Sequence, residues 1–306
     1  MVVPQLARLA ATISTVERET GLSKDTLRVW ERRYGFPKPS RDHNGERVYP
    51  DDQVENLHVI RQLMNRGVRP GKIVAASLAE LSGRVNDLSK AEHADAPDVS
   101  PMQDLLVLLK AHNVTALRQQ LAQDLLRLGL QRFVLDMVAP LNVLVGVAWA
   151  QGRIALFEEH LYTEQIQHLL RQAIGAASQA GQAPRVLLTT LPGEEHQIGL
   201  LMAHACLAVE GAQCISLGVQ TPAADIAQAA RAHRAHIVGL SFSPAMQVRV
   251  ASNALAALRQ RLDPEIELWA GGSIWLRAHK RIPGARTITA LAQIPQALAD
   301  WRAAQP

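Results

Sequence analysis

From Arg185 onward the chain changes period. Short apolar runs at 185–190, 213–217, 236–241, 266–270 and 285–289 alternate with helical runs at 196–209, 223–233, 247–261 and 293–303. Strands that alternate with helices predict βαβ units and a parallel sheet. Sheets of this kind bind ligands at the carboxyl ends of their strands. That rule singles out Glu194-Glu195-His196-Gln197-Ile198-Gly199, which directly follows the strand-like Val186-Leu187-Leu188-Thr189-Thr190 and opens the helix running to Val209. A carboxylate beside a metal-bound imidazole orients the ring and raises its basicity. A glycine lets a bulky group pass close to the backbone. Taken alone, a His in such a loop is more often a polar surface residue.

The rest of the chain divides by pattern. Residues 1–80 are short helical segments dotted with Arg and Lys, and 81–101 dissolve into Gly, Asn, Asp, Ser, Ala and Pro, a linker. Residues 102–180 carry helical periodicity almost throughout, as in Leu117-Leu121-Leu125-Leu128, and predict a bundle of three to four helices. Residues 181–306 hold the strand–helix alternation. At 48% hydrophobic and 20% charged residues, the chain can build an ordinary core. A net charge of +4 is modest, so a polyanion partner must be argued from local patches. Cys206 and Cys214 lie in apolar runs, fit neither a zinc site nor a redox motif, and read as buried small hydrophobes, in keeping with a reducing cytoplasm. No apolar run is expected to reach the length of a membrane span, and the N-terminus lacks the pattern of a signal peptide.

Near the N-terminus, Thr12 to Glu17 and Thr20-Gly21-Leu22-Ser23 read as helix, tight turn, helix. Gly21 suits the turn and Ser23 can cap the second helix. Between residues 24 and 47 stand seven Lys or Arg against four Asp or Glu, which suits phosphate contacts and groove reading. Arg41 to Tyr49 reads as a small β-wing with Asn44-Gly45 at its tip. Trp30 is expected in the core. This segment resembles the MerR family in Thr26-Leu27-Arg28-Val29-Trp30-Glu31-Arg32-Arg33-Tyr34-Gly35, then Pro39, Arg41, Gly45, Arg47 and Tyr49. The resemblance implies a winged helix-turn-helix that binds double-stranded operator DNA through Lys24, Thr26, Arg28, Arg32, Arg33, Arg41, Arg47 and Tyr49. Family members with metal sites use Cys in a C-terminal loop, which this chain lacks there.

In the helical middle, Trp149 is followed after nine residues by Glu159-His160. This spacing resembles the four-helix bundle of the CarH/LitR-type photoreceptors, which join a MerR domain to a cobalamin domain. In the C-terminal part, Glu194-x-His196-x-x-Gly199 resembles the D-x-H-x-x-G cobalamin-binding motif. Ser241 and Gly271-Gly272 match the residues that line the channel for the dimethylbenzimidazole tail. The resemblance implies that His196 ligates cobalt from below. It also implies that Trp149 and Glu159 cover the upper face and the adenosyl group, and that His160 coordinates cobalt once the upper carbon–cobalt bond is lost. Two positions depart from the pattern. The family's Asp is Glu194, with Glu195 as a competitor, and the usual S-x-L is Ser241-Phe242-Ser243, which makes an apolar contact with the tail polar.

The expected architecture is multi-domain: an α-helical winged helix-turn-helix of the MerR type, a four-helix bundle, and an α/β Rossmann-like cobalamin-binding domain. The function implied by the resemblance is transcriptional repression, not enzymatic catalysis. Adenosylcobalamin would act as a light-labile ligand that organises a homo-oligomer, dimer or tetramer, and the oligomer would gain DNA affinity by multivalency. Competing readings are a light-independent regulator responding to cobalamin or another tetrapyrrole, a corrinoid carrier, and an anti-repressor.

Overall fold

The computed structural model describes residues 11–42, 44–65, 68–77, 80–81, 83, 100–177, 182–278 and 282–305. The expected linker, 81–101, lies almost wholly outside them. The chain divides into two compact units. Met1–Ala96 and Gly146–Ala155 form the first; Pro97–Val145 and Leu156–Pro306 form the second.

The first unit begins with β1 (Ala11–Thr12) and α1 (Ile13–Thr20), then α2 (Lys24–Tyr34), β2 (Ser40–Arg41), β3 (Arg47–Tyr49) and α3 (Asp51–Asn65). The helix ends are set by local chemistry. Thr12 and Ser23 accept the free amides of Thr15 and Thr26 as N-caps, and Gly21 and Gly35 close the two helices with φ of 66° and 68°. The strands form an antiparallel sheet in the order β1-β3-β2. Between β2 and β3, the Asp42 carboxylate accepts the amides of Asn44 and Glu46, so the wing turns at the expected tip. Val16, Leu22, Leu27, Trp30, Tyr49, Leu57, Ile60 and Leu63 fill the core.

The second unit opens with α4 (Ser100–Lys110) and α5 (Val114–Leu128), the latter capped by Asn113. The short α6 (Leu130–Arg132) runs through a π-helical segment, Phe133–Val138, into α7 (Ala139–Ala150), whose residues from Gly146 onward belong to the first unit. Pro140 has no amide to donate one turn back, and the widened turn lies immediately before it. The helix α8 (Leu156–Ala177) follows. One expectation is corrected here. Leu130–Trp149 is a continuous helical stretch of 20 residues with a mean hydropathy of 1.5, long and apolar enough by those measures to cross a bilayer. Its apolar residues are in large part spent on protein packing, with Phe133, Val134, Met137, Val138, Leu141 and Val145 buried.

Beyond the helices come β4 (Gln182–Thr189), α9 (Gln197–Val209), β5 (Ala212–Ser216), α10 (Ala223–Ala232), β6 (Ile237–Ser241), α11 (Val248–Arg259), β7 (Glu267–Gly271), β8 (Arg286–Ile288) and α12 (Ile294–Ala303). Every strand and helix expected from the alternation is present. The sheet is parallel throughout, in the order β5-β4-β6-β7-β8. Chain order reverses direction between β4 and β6, so the carboxyl ends of these strands flank the switch point at which such sheets open a ligand crevice. Leu187, Val238, Leu240, Leu268 and Ala270 bury one face against Ile226, Ala230, Leu255, Leu258 and Trp275.

Candidate functional site

The loop between β4 and α9 is braced from below. Thr190 donates its hydroxyl to the Glu194 carbonyl at 2.6 Å and accepts the Gln220 amide at 2.8 Å. This places the Glu194 carboxylate in the interior, with only 1% of the residue exposed. One carboxylate oxygen accepts the His196 amide at 3.0 Å and its Nδ1–H at 2.6 Å. The other accepts the amide and hydroxyl of Ser243 at 2.7 and 2.8 Å. A buried carboxylate needs its lone pairs satisfied, and these four bonds do so. Burial alone would push the Glu194 carboxyl up, but the hydrogen bonds from His196 and Ser243 and the imidazole charge hold it below its ordinary value. His196 is raised, chiefly by its hydrogen bond to Glu194 against the cost of burial, with the nearby charges of Glu159 and Glu195 adding to it.

The bond to a carboxylate assigns the ring hydrogen to Nδ1. In the neutral ring Nε2 then carries the lone pair; it pairs with no described residue and belongs to a side chain that is 64% exposed. An imidazole presented this way, with its second nitrogen backed by a carboxylate, has the preparation of a metal ligand. Between Glu194 and Glu195, the geometry favours Glu194: Glu195 is exposed and, among the described residues, accepts from Gln220 alone, at 3.4 Å.

The neighbouring strand ends approach one another closely at glycines. A Cβ at Gly199 would meet the Ser241 hydroxyl at 3.0 Å. Gly272 has φ of 132°, and a Cβ there would lie 2.0 Å from the Phe242 carbonyl, so only glycine fits. Ser241 pairs with Gly271 in the β6–β7 register. The sequence-predicted Glu194, His196, Gly199, Ser241, Ser243, Gly271 and Gly272 therefore converge on one edge of the sheet. Ser243 differs from expectation in its job: its amide and hydroxyl go to Glu194 rather than outward to a cofactor tail. An exposed imidazole backed by a buried carboxylate is a donor suited to the cobalt of a corrinoid.

On the helical side of the same unit, Glu159 accepts from Thr163 Oγ1 at 2.8 Å and pairs with His160 Nδ1 at 2.9 Å. His160 is exposed. Tyr162, fully buried, donates to Asn142, whose amide reaches the Met202 sulfur at 3.8 Å. Asn142, Tyr162 and Thr163 escaped sequence reasoning because they sit inside helices read only for apolar period. The signal available was Thr163, one helical turn after Glu159 on the same face. Trp149 belongs to the first unit. There its half-buried ring stands edge-on to His58 of α3, with centroids 5.1 Å apart. Burial lowers His58 to about 4, and its Nδ1 is without a partner among the described residues.

The predicted DNA-contact residues fall into two groups. Arg28, Arg32 and Arg33 are exposed along α2, Arg28 at 3.4 Å from Asp25 and Arg33 over the Tyr34 ring. Arg41 is exposed on the wing and donates to the Gly45 carbonyl at 2.6 Å. Lys24 pairs with Glu17 at 3.7 Å, and Arg47 with Glu31 at 3.0 Å, which ties the wing to α2. Thr26 serves the Ser23 cap. Tyr49 is a correction: it is fully buried in the core, its hydroxyl without a partner among the described residues, and it cannot reach a phosphate.

Comparison with known proteins now bears on both units. Residues 11–77 match the MerR HTH family regulatory protein model, and residues 184–287 the B12 binding domain. The chain is 28% identical to the HTH-type transcriptional repressor CarH of Myxococcus xanthus, over 90% of this chain and 93% of that protein. It is 32% identical to the HTH-type transcriptional repressor CarA of the same organism, over 75% of each. The monomethylamine corrinoid protein of Methanosarcina barkeri superposes with a TM-score of 0.53 at 15% identity, covering 67% of this chain and 100% of that one, a likeness of fold alone. The relatives are transcription regulators rather than enzymes, as expected. With a DNA-reading wing and helix at one end and a carboxylate-backed imidazole in a B12-binding sheet at the other, the chain belongs to the family of B12-dependent, MerR-type DNA-binding transcriptional regulators that includes CarA and CarH.

Proposed function

We propose that this protein is a light-responsive repressor whose ligand is the adenosyl form of B12. The observation that carries the reading is the His196 imidazole, fixed by Glu194 and presenting Nε2 at the switch point of the sheet. Bound adenosylcobalamin supplies a cobalt–carbon bond that light breaks. The protein's part would be to hold the cobalt with His196, to seat the tail along Gly199, Ser241, Gly271 and Gly272, and to offer Trp149, Glu159 and His160 to the adenosyl group. His160 would be the candidate ligand once the upper group is gone, its Nδ1 held by Glu159 and its Nε2 left for the metal.

The readout is operator binding by residues 1–80, with 102–180 as cap and 181–306 as cofactor domain. A single module of this size offers few phosphate contacts. A homo-oligomer organised by the cofactor would raise affinity by effective concentration. The place of action is the cytoplasm, where the DNA is. The ligand shifts an equilibrium between two arrangements, and light removes its preference for one of them.

The test is one preparation read three ways. Protein loaded with adenosylcobalamin is followed by absorbance, size-exclusion chromatography and operator gel shift, in the dark and after green light. Loss of the dark oligomer and of DNA affinity on illumination supports the proposal. Bound cobalamin with no response to light would make the protein a light-independent cobalamin sensor instead.

A further inference from the structure

The two positions at which the chain departs from the cobalamin motifs touch each other. Glu194 is one methylene longer than the Asp of the pattern, and Ser243 stands where the pattern has Leu. The second carboxylate oxygen of Glu194 receives both of its hydrogen bonds from Ser243. We infer that Ser243 is a positioning residue: it clamps the longer Glu194 side chain so that its other oxygen stays on His196 Nδ1, and the two departures compensate each other. The inference rests on the proposed cobalamin reading and concerns how this chain holds the ligand imidazole.

The physical case has three parts. A glutamate adds about 1.5 Å of reach and one more rotatable bond over an aspartate. Without a second anchor, its carboxylate could satisfy His196 in several rotamers. Next, the carboxylate is buried, and a buried carboxylate oxygen left short of donors is costly. The βα loop itself offers only the His196 amide, and that goes to the first oxygen. A leucine at 243 would leave the amide as the second oxygen's only donor. Finally, Ser243 is itself anchored. The preceding Phe242 donates its amide to Gly271 on β7 at 2.9 Å, and the Ser243 hydroxyl accepts the Ala245 amide at 3.3 Å. Bonds to a charged acceptor are roughly twice as strong as neutral ones. The clamp thus runs from β7 through Ser243 and Glu194 to His196.

A plainer role is possible for such a serine: it could merely brace the turn from Ser243 to Met246, whose amide reaches the Ser243 carbonyl at 3.2 Å. A turn residue would change stability but not the state of the imidazole. The experiment therefore compares the full-length parent with Ser243→Ala, Ser243→Thr, Ser243→Leu, Glu194→Asp, His196→Ala and the double substitution Glu194→Asp with Ser243→Leu. Each is measured for adenosylcobalamin affinity in the dark, for the visible absorbance that reports a protein imidazole on cobalt, and for melting temperature without cofactor. Expected are a loss of about tenfold in affinity for Ser243→Ala and for Glu194→Asp, each with part of the spectrum moved toward that of His196→Ala. Ser243→Thr should stay within about threefold of the parent, and the double substitution should recover to about the same level. Ser243→Ala with parental spectrum and affinity but a lowered melting temperature overturns the inference in favour of the turn. So does a double substitution whose loss is the product of the single losses. A parent spectrum already identical to that of His196→Ala takes the imidazole off the cobalt and overturns the inference, whereas a parent that binds no cobalamin sinks the cobalamin reading itself.

Discussion

The two ends of this protein use polar residues in opposite ways. In the winged helix-turn-helix, the charged side chains are spread over α2 and the wing, and several are tied to neighbours: Arg47 to Glu31, Lys24 to Glu17, Arg41 to a wing carbonyl. At the carboxyl edge of the parallel sheet, polar groups converge through one buried carboxylate on a single imidazole nitrogen. A surface that reads a polyanion sums many weak, salt-screened contacts. A site that ligates a metal depends on the orientation of one ring. Loss of a residue should therefore be graded at the first site and abrupt at the second, and that contrast can be broken or sharpened by measurement.

The largest effect is expected where the two kinds of residue were confused. Tyr49 lies in the wing beside the cationic residues, yet it is wholly buried. Tyr49→Ala should cost about 4 kcal/mol, the usual range for emptying an aromatic from a core, and unfold much of the module. Tyr49→Phe removes only a hydroxyl with no partner among the described residues, and should leave operator affinity and stability at or above the parent's. A clear loss of DNA binding in a well-folded Tyr49→Phe protein would restore Tyr49 to the contact surface.

Next in size is a pH effect confined to the first unit. His58 sits near 4 when folded against an ordinary 6.5, because burial disfavours its charge. The unfolded chain takes up that proton first, so stability from this group is complete above about pH 6.5 and is lost as pH falls toward 4. The span corresponds to at most roughly 3 kcal/mol. Melting curves between pH 7.5 and 4.5 should show the decline, and His58→Gln should flatten it. An unchanged slope in that variant would mean that His58 is not held neutral against Trp149.

The sheet edge comes third. His196→Ala should weaken cobalamin binding about 100-fold and alter the visible spectrum, with no intermediate behaviour when His160→Ala is compared in the dark. A spectrum and affinity unchanged by His196→Ala would place the cobalt elsewhere.

What could be read beforehand follows the same division. Every strand of the second unit lay where the apolar runs put it, because a parallel sheet buried on both faces writes itself as short hydrophobic segments. The helix caps Ser23 and Gly21 were legible because capping is local chemistry. Tyr49 was misplaced because a phenol suits a core as well as a phosphate, and its residue type does not say which. Ser243 was seen only as a polar departure. Its partner is 49 residues away in sequence, and the contact exists because the parallel pairing of β4 and β6 aligns their ends. The edge-on stacking of Trp149 on His58 is likewise a tertiary fact without a local signature.

The smallest effects separate reading from positioning within the DNA-binding face. Arg33 and Arg47 both count as wing-and-helix cations in the sequence, but the structure distinguishes them. Arg33 projects from the last turn of α2, exposed and stacked on Tyr34. Arg47 is half-buried and held by Glu31, whose carboxylate raises its already high value chiefly through their hydrogen bond. If Arg33 meets a phosphate, Arg33→Ala should reduce affinity about fivefold at moderate salt. It should also lower the slope of log affinity against log salt by about 0.9, the loss of one released counterion. Arg47→Ala should cost a similar amount through a loosened wing, with a change in stability of about 1 kcal/mol for a partly exposed pair. Glu31→Gln discriminates further. It frees Arg47 while keeping its charge, so it should loosen the wing and weaken binding without lowering the salt slope. A salt slope that falls equally in Arg33→Ala and Arg47→Ala, with Glu31→Gln as tight as the parent, would make Arg47 a direct phosphate contact and remove the distinction between the two arginines.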